Sequence, residues 1–174
     1  MSRAVLSLGS NLGDREAYLR DAIRGVGDAL LAVSGVYETP PWGDPDQLYY
    51  LNVALLAMDA GRGAHDWLRL ARRLESEAGR ERDPRRPLGP RTLDVDVIAV
   101  WDDDGTPVIV DDADLTLPHP RAHLRAFVLR PWLDIQPYGQ LPGHGWLYDL
   151  VRDEPIADDL IELRPRHDIL IATS

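Results

Sequence analysis

An alternating pattern in the middle of the chain reads TLDVDVIAVW at residues 92–101. Alternation of apolar and polar residues is typical of a β-strand with one buried face. Because side chains alternate with a period of two, Asp94 and Asp96 would leave the same face, with Cα atoms roughly 6.5–7 Å apart. The apolar residues around them would point to the other face, toward a core: Leu93, Val95 and Val97.

Strand and helix patterns precede this strand. Residues 4–8 predict a buried strand, and the three- and four-residue apolar spacing after Asp14 predicts a helix. Two further strands are predicted at 31–39 and 49–56, followed by a helix at 64–78. The resulting order, β-α-β-β-α-β, predicts an α+β fold of the ferredoxin-like βαββαβ sandwich type.

The remaining residues predict C-terminal additions to this fold. A Leu-Pro-His-Pro turn at 117–120 and a short helix near 123–133 follow the last strand. Residues 138–174 mix Gly, Pro and acidic residues, and we interpret them as a peripheral C-terminal segment. A length of 174 residues suits one core, so we expect residues 1–174 to form a single domain.

Composition excludes several kinds of chemistry. The chain contains neither Cys nor Lys, which excludes thiol nucleophiles, Cys-ligated zinc, Schiff-base lysines and a P-loop lysine. The formal net charge is −10, so a nucleic acid or an anionic membrane is not an expected partner. The N-terminus lacks a signal-like apolar run, and no stretch approaches a membrane span, so we expect a cytoplasmic protein.

A local excess of positive charge lies at residues 79–91, just before the alternating strand. This segment carries five Arg and two acidic residues, a balance of +3 in a chain of −10. Guanidinium groups in a Gly/Pro-rich loop suit binding of phosphate oxygens. A solvated, ion-paired loop is the structural alternative.

The paired carboxylates that follow this loop suggest a metal site. Asp94 and Asp96 would repel each other on one strand face unless cations lie between them, and such a pair can serve Mg²⁺ ions. Two solvated acids on a half-exposed strand are the structural alternative. Together with the arginines, the pair predicts phosphoryl transfer, pyrophosphoryl transfer or phosphodiester hydrolysis.

At these residues the chain resembles the 6-hydroxymethyl-7,8-dihydropterin pyrophosphokinase family. The most specific match is GPRTLDVDVI at 89–98, preceded by GRER at 79–82. Weaker matches follow the family order, and the resemblance spans about residues 4–137: LGSNLGD at 8–14, residues 37–43 with Gln47 and YLN at 50–52, and LPHP at 117–120 with Arg125, Phe127 and Pro131.

The resemblance implies transfer of the β,γ-diphosphate of ATP to the hydroxymethyl group of the pterin, with release of AMP. Asp94 and Asp96 match the carboxylates that hold two Mg²⁺ ions, and ATP is the co-substrate. The implied catalytic residues are Arg80, Arg91, Asp94 and Asp96. The implied ATP-binding residues are Arg80, Arg82, Arg91, His119 and Arg125. Glu75 matches a helix carboxylate with a polar partner, expected to be a loop arginine.

The resemblance also implies a pterin site. Its residues would be Thr39, Pro40, Trp42, Tyr50, Asn52 and Phe127. Asn52 supplies the donor and acceptor that an aminopyrimidinone ring requires, and Phe127 would stack on the ring. For Tyr50 and Phe127 the structural alternative is core packing. Leu88 departs from the family, which often has Trp immediately before Gly-Pro-Arg.

Two other functions stay open at this stage. A metal-dependent phosphodiesterase would use similar chemistry but needs a larger basic face. A non-catalytic ferredoxin-like binding domain would leave the carboxylates and arginines without a role. For the pyrophosphokinase we expect small-molecule partners, ATP and the pterin, and a monomer.

Overall fold

The computed structural model describes residues 1–171. Its strands are β1 (Ser2–Ser10), β2 (Leu30–Val33), β3 (Tyr37–Thr39), β4 (Tyr50–Asp59), β5 (Asp94–Asp102), β6 (Val110–Asp111), β7 (Thr116–Leu117), β8 (Gln140–Leu141), β9 (Gly145–Trp146) and β10 (Arg164–Pro165). Its α-helices are α1 (Arg15–Val26), α2 (Ala64–Glu77), α3 (Ala126–Ile135), α4 (Leu147–Leu150) and α5 (Ile156–Leu160).

An antiparallel sheet forms the centre of the molecule. Its order is β10-β3-β4-β1-β5, and β2 pairs with the part of β4 that β3 does not cover. The central strand β1 pairs with β4 from Ser2 to Ser10 and with β5 along nearly the same length. The predicted α+β class is therefore confirmed, and every pairing in this sheet is antiparallel.

Helices cover both faces of this sheet. On one face α1 and α2 pack on alternate residues of the central strands, including Leu6, Leu8 and Val95. On the other face α3 and the shorter C-terminal helices pack on Val5, Ile98 and Trp101. A strand covered on both faces must be apolar on both, which explains the continuous apolar run at the start of the chain.

The prediction of one strand at 31–39 is wrong, because the structure interrupts it. Ser34 donates its backbone N–H to Ala54 O, and its Oγ accepts from Ala54 N at 2.8 Å. A side chain thus takes the place of a backbone acceptor between β2 and β3. The strand predicted at 92–101 begins at Asp94 and is otherwise as expected.

The short helix predicted near 123–133 lies slightly later, at Ala126–Ile135. A 3₁₀ turn at Ala122–Leu124 precedes it, and Arg125 between them has extended backbone. The extended Arg125 prevents one continuous helix. This break positions the Arg125 side chain near β5.

Part of the segment that we interpreted as peripheral, residues 138–174, is buried in the core. Leu147 and Ile156 are buried in the same core cluster as Trp132 of α3. Strand β10 also pairs with β3 at the edge of the sheet. Residues 172–174 of the predicted segment 138–174 lie outside the described residues.

Among residues 1–171, none of the helices combines the length and the apolarity needed to traverse a bilayer.

Two isoleucines of the C-terminal segment give a matched test of this packing. Ile156 is 3% exposed and Ile161 is 83% exposed. We expect Ile156→Ala to lower the free energy of unfolding by about 2–4 kcal/mol, because it leaves a cavity. Ile161→Ala should change it by less than about 0.5 kcal/mol. Urea denaturation measures both, and equal effects would contradict the packing described.

Candidate active site

The start of β5 presents two carboxylates to the α3 side of the sheet. Asp94 lies opposite Gly9 of β1, and Asp96 lies opposite Ser7. Both side chains are about one-quarter exposed, at 25% and 27%, and they line one cavity. The intervening Val95 is buried in the core on the α1 side. The predicted separation of the two faces is therefore present.

Two loop arginines converge on Asp94. Arg80 Nη1 donates to Asp94 Oδ1 at 2.7 Å, and Arg91 Nη1 lies 3.3 Å from Asp94 Oδ2. Arg91 also donates to the backbone oxygens of Gly89 and Pro87 at 3.1 Å. Arg91 therefore organises residues 79–91, which we call the arginine loop, as well as contacting the carboxylate.

Glu75 of α2 contacts both the start of the arginine loop and the start of β5. Its Oε1 accepts from Val95 N at 2.9 Å and lies 2.6 Å from Arg80 Nη1. Its Oε2 accepts from Arg82 Nη2 at 3.1 Å. Burial raises the pKa of Glu75, although these donors act in the opposite direction. The family counterpart implied an arginine partner, and the structure supplies two.

Asp96 lies among different partners. Its Oδ2 accepts from Arg125 Nη1 at 3.3 Å and lies 3.9 Å from His119 Nε2. Burial, followed by the nearby charge of Asp94, raises the pKa of Asp96 to about 7. Burial, followed by the charge of Arg125, lowers the pKa of His119 to about 4. At neutral pH the imidazole is therefore neutral.

The pterin-site residues implied by the resemblance come together in this same cavity. Its walls include Thr39, Pro40, Trp42, Tyr50, Asn52 and Phe127. Asn52 Nδ2 donates to Thr39 Oγ1 at 2.6 Å, which fixes the side-chain amide across β3 and β4. The Arg125 guanidinium carbon lies 4.8 Å from the centre of the Trp42 ring. The aromatic wall and the carboxylates therefore share a neighbour.

Gly9 makes room for this amide. A Cβ on Gly9 would lie 2.8 Å from Asn52 Oδ1 and 3.2 Å from Tyr50 Cδ1. Sequence reasoning did not assign Gly9 to the site. The signal was present, since a glycine within a strand marks close approach of another group.

A second cavity adjoins the first at the carboxylates. It is lined by Glu75 and by all five phosphate-binding candidates: Arg80, Arg82, Arg91, His119 and Arg125. Asp94 and Asp96 line both cavities. A group held in one cavity can therefore meet a group held in the other at the two carboxylates.

Asn11 connects the site to two loops, a role that sequence reasoning also missed. Its Nδ2 donates to Gln47 Oε1 at 2.8 Å and to Leu48 O at 3.0 Å. Its Oδ1 accepts from Arg91 N at 2.9 Å. A buried Asn at the end of a strand, where Asn11 stands, is the signal that could have revealed it.

The side chains of this site can bind a hard cation only if water or a substrate supplies the remaining ligands. Within residues 1–171, no group of three or more His, Cys, Asp or Glu side chains could hold a metal ion. Two carboxylates are available. Mg²⁺ is usually bound by one or two carboxylates, with water and substrate phosphates completing its octahedron.

This chain is similar in sequence to known proteins of one enzyme family. A sequence model of the 7,8-dihydro-6-hydroxymethylpterin-pyrophosphokinase (HPPK) family matches residues 5–137. A Mycobacterium tuberculosis protein named 2-amino-4-hydroxy-6-hydroxymethyldihydropteridine pyrophosphokinase is 47% identical over 169 residues, covering 95% of this chain and 86% of that protein. A Methylorubrum extorquens protein of the same name is 42% identical over 166 residues, covering 93% and 100%.

Solved structures agree at the level of fold. A crystal structure of Plasmodium falciparum HPPK-DHPS, a triple mutant with STZ-DHP, matches with a TM-score of 0.65 at 11% identity. It covers 94% of this chain and 46% of that chain. An HPPK-DHPS structure in complex with substrates gives 0.62 at 10% identity, covering 87% and 43%. This chain therefore spans less than half of each of those structures.

The opposite pKa displacements of His119 and Asp96 predict opposite effects of pH on stability. Folded His119 binds fewer protons than unfolded His119, so its contribution to stability is lost as pH falls from 6.5 to about 4. Folded Asp96 binds more protons, so its contribution is lost as pH rises from 3.8 to about 7. On acidification, the free energy of unfolding of His119→Asn should rise by up to about 3 kcal/mol relative to that of wild type. That of Asp96→Asn should fall by a comparable amount relative to wild type.

Urea denaturation in EDTA at several pH values measures these differences. Comparison with wild type removes the titration of the other carboxyl groups. Parallel pH profiles for wild type and both variants would contradict the two pKa displacements.

Proposed function

The chain belongs to the 7,8-dihydro-6-hydroxymethylpterin-pyrophosphokinase family. We propose that it binds ATP and 6-hydroxymethyl-7,8-dihydropterin in its two adjoining cavities and transfers diphosphate from the first to the second, in folate biosynthesis. The observation that carries this proposal is the position of Asp94 and Asp96, which line both the aromatic cavity and the arginine-lined cavity. A pterin hydroxyl and an ATP phosphate would meet there.

The chemistry is a displacement at phosphorus. The hydroxymethyl oxygen forms a bond to the β-phosphorus, and the bond from that phosphorus to the oxygen bridging to the α-phosphate breaks. The hydroxyl proton is released to solvent, and AMP leaves with the bridging oxygen. Such a transfer depends on positioning and on electrostatic stabilisation, and it needs no covalent enzyme intermediate.

Asp94 and Asp96 fit the requirements of two Mg²⁺ ions. Burial, followed by the nearby charge of Asp94, opposes ionisation of Asp96, and a bound cation would offset both effects. Bound Mg²⁺ would neutralise phosphate charge and lower the pKa of a coordinated hydroxyl. The rest of the coordination would come from phosphate oxygens and water.

The five basic candidates would bind the triphosphate. Arg80 and Arg91 contact Asp94, so a metal on that carboxylate would free their donors for phosphate oxygens. Arg80 Nε and Arg125 Nε are buried N–H groups without a hydrogen-bond partner among residues 1–171. These unused donors support an anionic ligand. Arg82 and His119 would complete the set, the neutral imidazole by donating a hydrogen bond.

The aromatic cavity would bind the pterin. Asn52 and Thr39 would pair with the aminopyrimidinone edge, together with the backbone near Pro40 and Trp42. Tyr50 and Phe127 would pack on the ring faces. The aliphatic Leu88 lines this cavity at the position where the family often has Trp, so a ring-stacking contact is replaced by apolar contact there.

Other finer assignments also rest on the sequence and the family. The strand order supports the ferredoxin-like arrangement, with β2 and β3 together standing for its second strand. We propose that the described residues form one domain. The cytoplasmic location and the monomeric state stay predictions.

The reaction is tested by following nucleotides chromatographically. We expect AMP, and not ADP, to form only when ATP, Mg²⁺ and the pterin alcohol are all present, and EDTA to stop the reaction. Asp96→Asn should lower turnover by at least about 10³-fold, because it removes charge at the point of transfer. ADP as product, or pterin-independent hydrolysis, would reject the proposal.

The matched control for Asp96 is Asp103→Asn. Asp103 lies in the exposed turn just beyond the other end of β5. The Asp103→Asn variant should retain wild-type turnover. Equal losses in the two variants would point to a general charge effect rather than to the site.

Substrate assignment is tested at Asn52. Asn52→Ala should raise the KM for the pterin roughly 10- to 100-fold, because a buried hydrogen-bonding partner is lost. The KM for ATP should change by less than about threefold if the arginine-lined cavity binds the nucleotide independently. A variant that raised the KM for ATP more than that for the pterin would reverse the assignment of the two cavities.

A further inference from the structure

One carboxylate behind the aromatic cavity is held by two arginines. Glu38 Oε2 accepts from Arg15 Nη1 at 3.1 Å and from Arg166 Nη1 at 3.0 Å. Arg15 begins α1, Glu38 lies in β3, and Arg166 directly follows β10. The side chains of Arg15, Glu38 and Arg166 are 28%, 18% and 25% exposed, so solvent screens their attraction only in part.

Strand register places Glu38 on the reverse side of the sheet from the aromatic cavity. Glu38 lies opposite Leu51 of β4. The next residue, Thr39, lies opposite Tyr50, and both of these line the aromatic cavity. Side chains alternate along a strand, so the Glu38 side chain leaves the face opposite to that of Thr39. Leu51 agrees with this direction, because it is buried in the core cluster on the α1 side.

Arg15 connects the two strands of this pair. Its Nη1 also donates to Tyr49 O at 2.9 Å. Glu38 immediately precedes Thr39, and Tyr49 immediately precedes Tyr50. One guanidinium nitrogen therefore contacts the residues next to both members of the Thr39–Tyr50 pair.

Arg166 brings the C-terminal strand to the same point. Its backbone N–H donates to Val36 O at 2.8 Å and extends the ladder between β10 and β3. Ile169, a little further along the chain, is buried in the core cluster on the α1 side. Strand β10 lies beyond residue 137, where the match to the family model ends. The support of β3 therefore includes chain outside that match.

We propose that Glu38 is a positioning residue for pterin binding: held by Arg15 and Arg166, it fixes Thr39 at the wall of the aromatic cavity. This inference rests on the proposed function. Without Glu38, the two guanidinium groups lose their shared carboxylate. Strand β3 then loses side-chain ties to α1 and to the C-terminal segment, and keeps only its backbone pairing.

The consequence should be confined to the pterin. Thr39 Oγ1 accepts from Asn52 Nδ2 at 2.6 Å, so a shift of β3 also changes the orientation of the Asn52 amide. The arginine-lined cavity contains no residue of β3. A displaced Thr39 would therefore weaken contacts to the pterin while the contacts to the triphosphate are kept.

Steady-state kinetics of AMP formation tests this role. Glu38→Gln and Arg166→Gln should each raise the KM for 6-hydroxymethyl-7,8-dihydropterin about 5- to 20-fold, because misplaced contacts bind less well. The KM for ATP should change by less than about twofold and kcat by less than about threefold, since the lost contacts bind the ground state and the transition state alike.

Two further variants are matched to these. Arg166→Lys keeps a positive charge beside Glu38, so its KM for the pterin should stay within about threefold of wild type. Arg24→Gln also removes one arginine, but Arg24 and its partner Asp21 are 73% and 71% exposed. Its three constants should stay within about twofold of wild type.

A double variant tests whether Glu38 acts through Thr39. If it does, Thr39→Ala with Glu38→Gln should have a KM for the pterin within about twofold of that of Thr39→Ala alone. Effects that multiply would show that the two residues act independently and would overturn the inference.

The outcomes separate this inference from the proposed function. If wild type forms no AMP that depends on the pterin, the proposed function fails. If wild type does, and Glu38→Gln and Arg166→Gln keep its KM for the pterin, only the positioning role fails. Equal rises in both KM values would also overturn it, because they indicate a general structural effect. Should Glu38→Gln not fold, Arg166→Gln at the edge of the sheet decides alone.

Discussion

Repulsion between Asp94 and Asp96 is the constraint on which the arrangement of the candidate site depends. The strand geometry holds both carboxylates on one face, and burial denies them the full screening of water. Without a cation, the cost is met by neighbouring guanidinium groups, Arg80 and Arg91 on one acid and Arg125 on the other. The arginine loop is therefore bound to β5 through Asp94, one of the two carboxylates of the proposed metal site.

This arrangement links the fold to the chemistry. Glu75 brings α2 to the start of β5, and the β1–β5 pairing sets Gly9 and Ser7 opposite the acids. The two cavities meet there because small residues of β1 leave open space on the α3 side. The proposed phosphoryl-transfer site is thus formed by strand register and arginines, without a P-loop.

Local patterns predicted much of the fold, since apolar periodicity reports burial. Strand β5 and helix α2 were expected within about two residues of their observed ends. The interruption at Ser34 could not be read in advance, because it depends on a hydrogen bond to Ala54, twenty residues away. The buried side chains of α4 and α5 were missed because these helices are short and Gly and Pro surround them.

For the site, residue types and the family motif identified the groups, but not their mutual contacts. Asp94, Asp96 and the arginines stood out by charge, whereas Gly9 and Asn11 act through space and through backbone hydrogen bonds. The pairing of Glu38 with Arg166 depends on where the end of the chain returns to the sheet, which sequence spacing does not encode.

The contacts of Glu75 with the segments on either side of the arginine loop have an evolutionary consequence. One carboxylate receives Arg80 just after α2 and the Val95 amide at the start of β5, so the stems of the loop are fixed near each other. Closing a surface loop of greater length adds little free energy once its stems are fixed. Residues 83–87 can therefore gain or lose members during divergence while Asp94 and Asp96 keep their register.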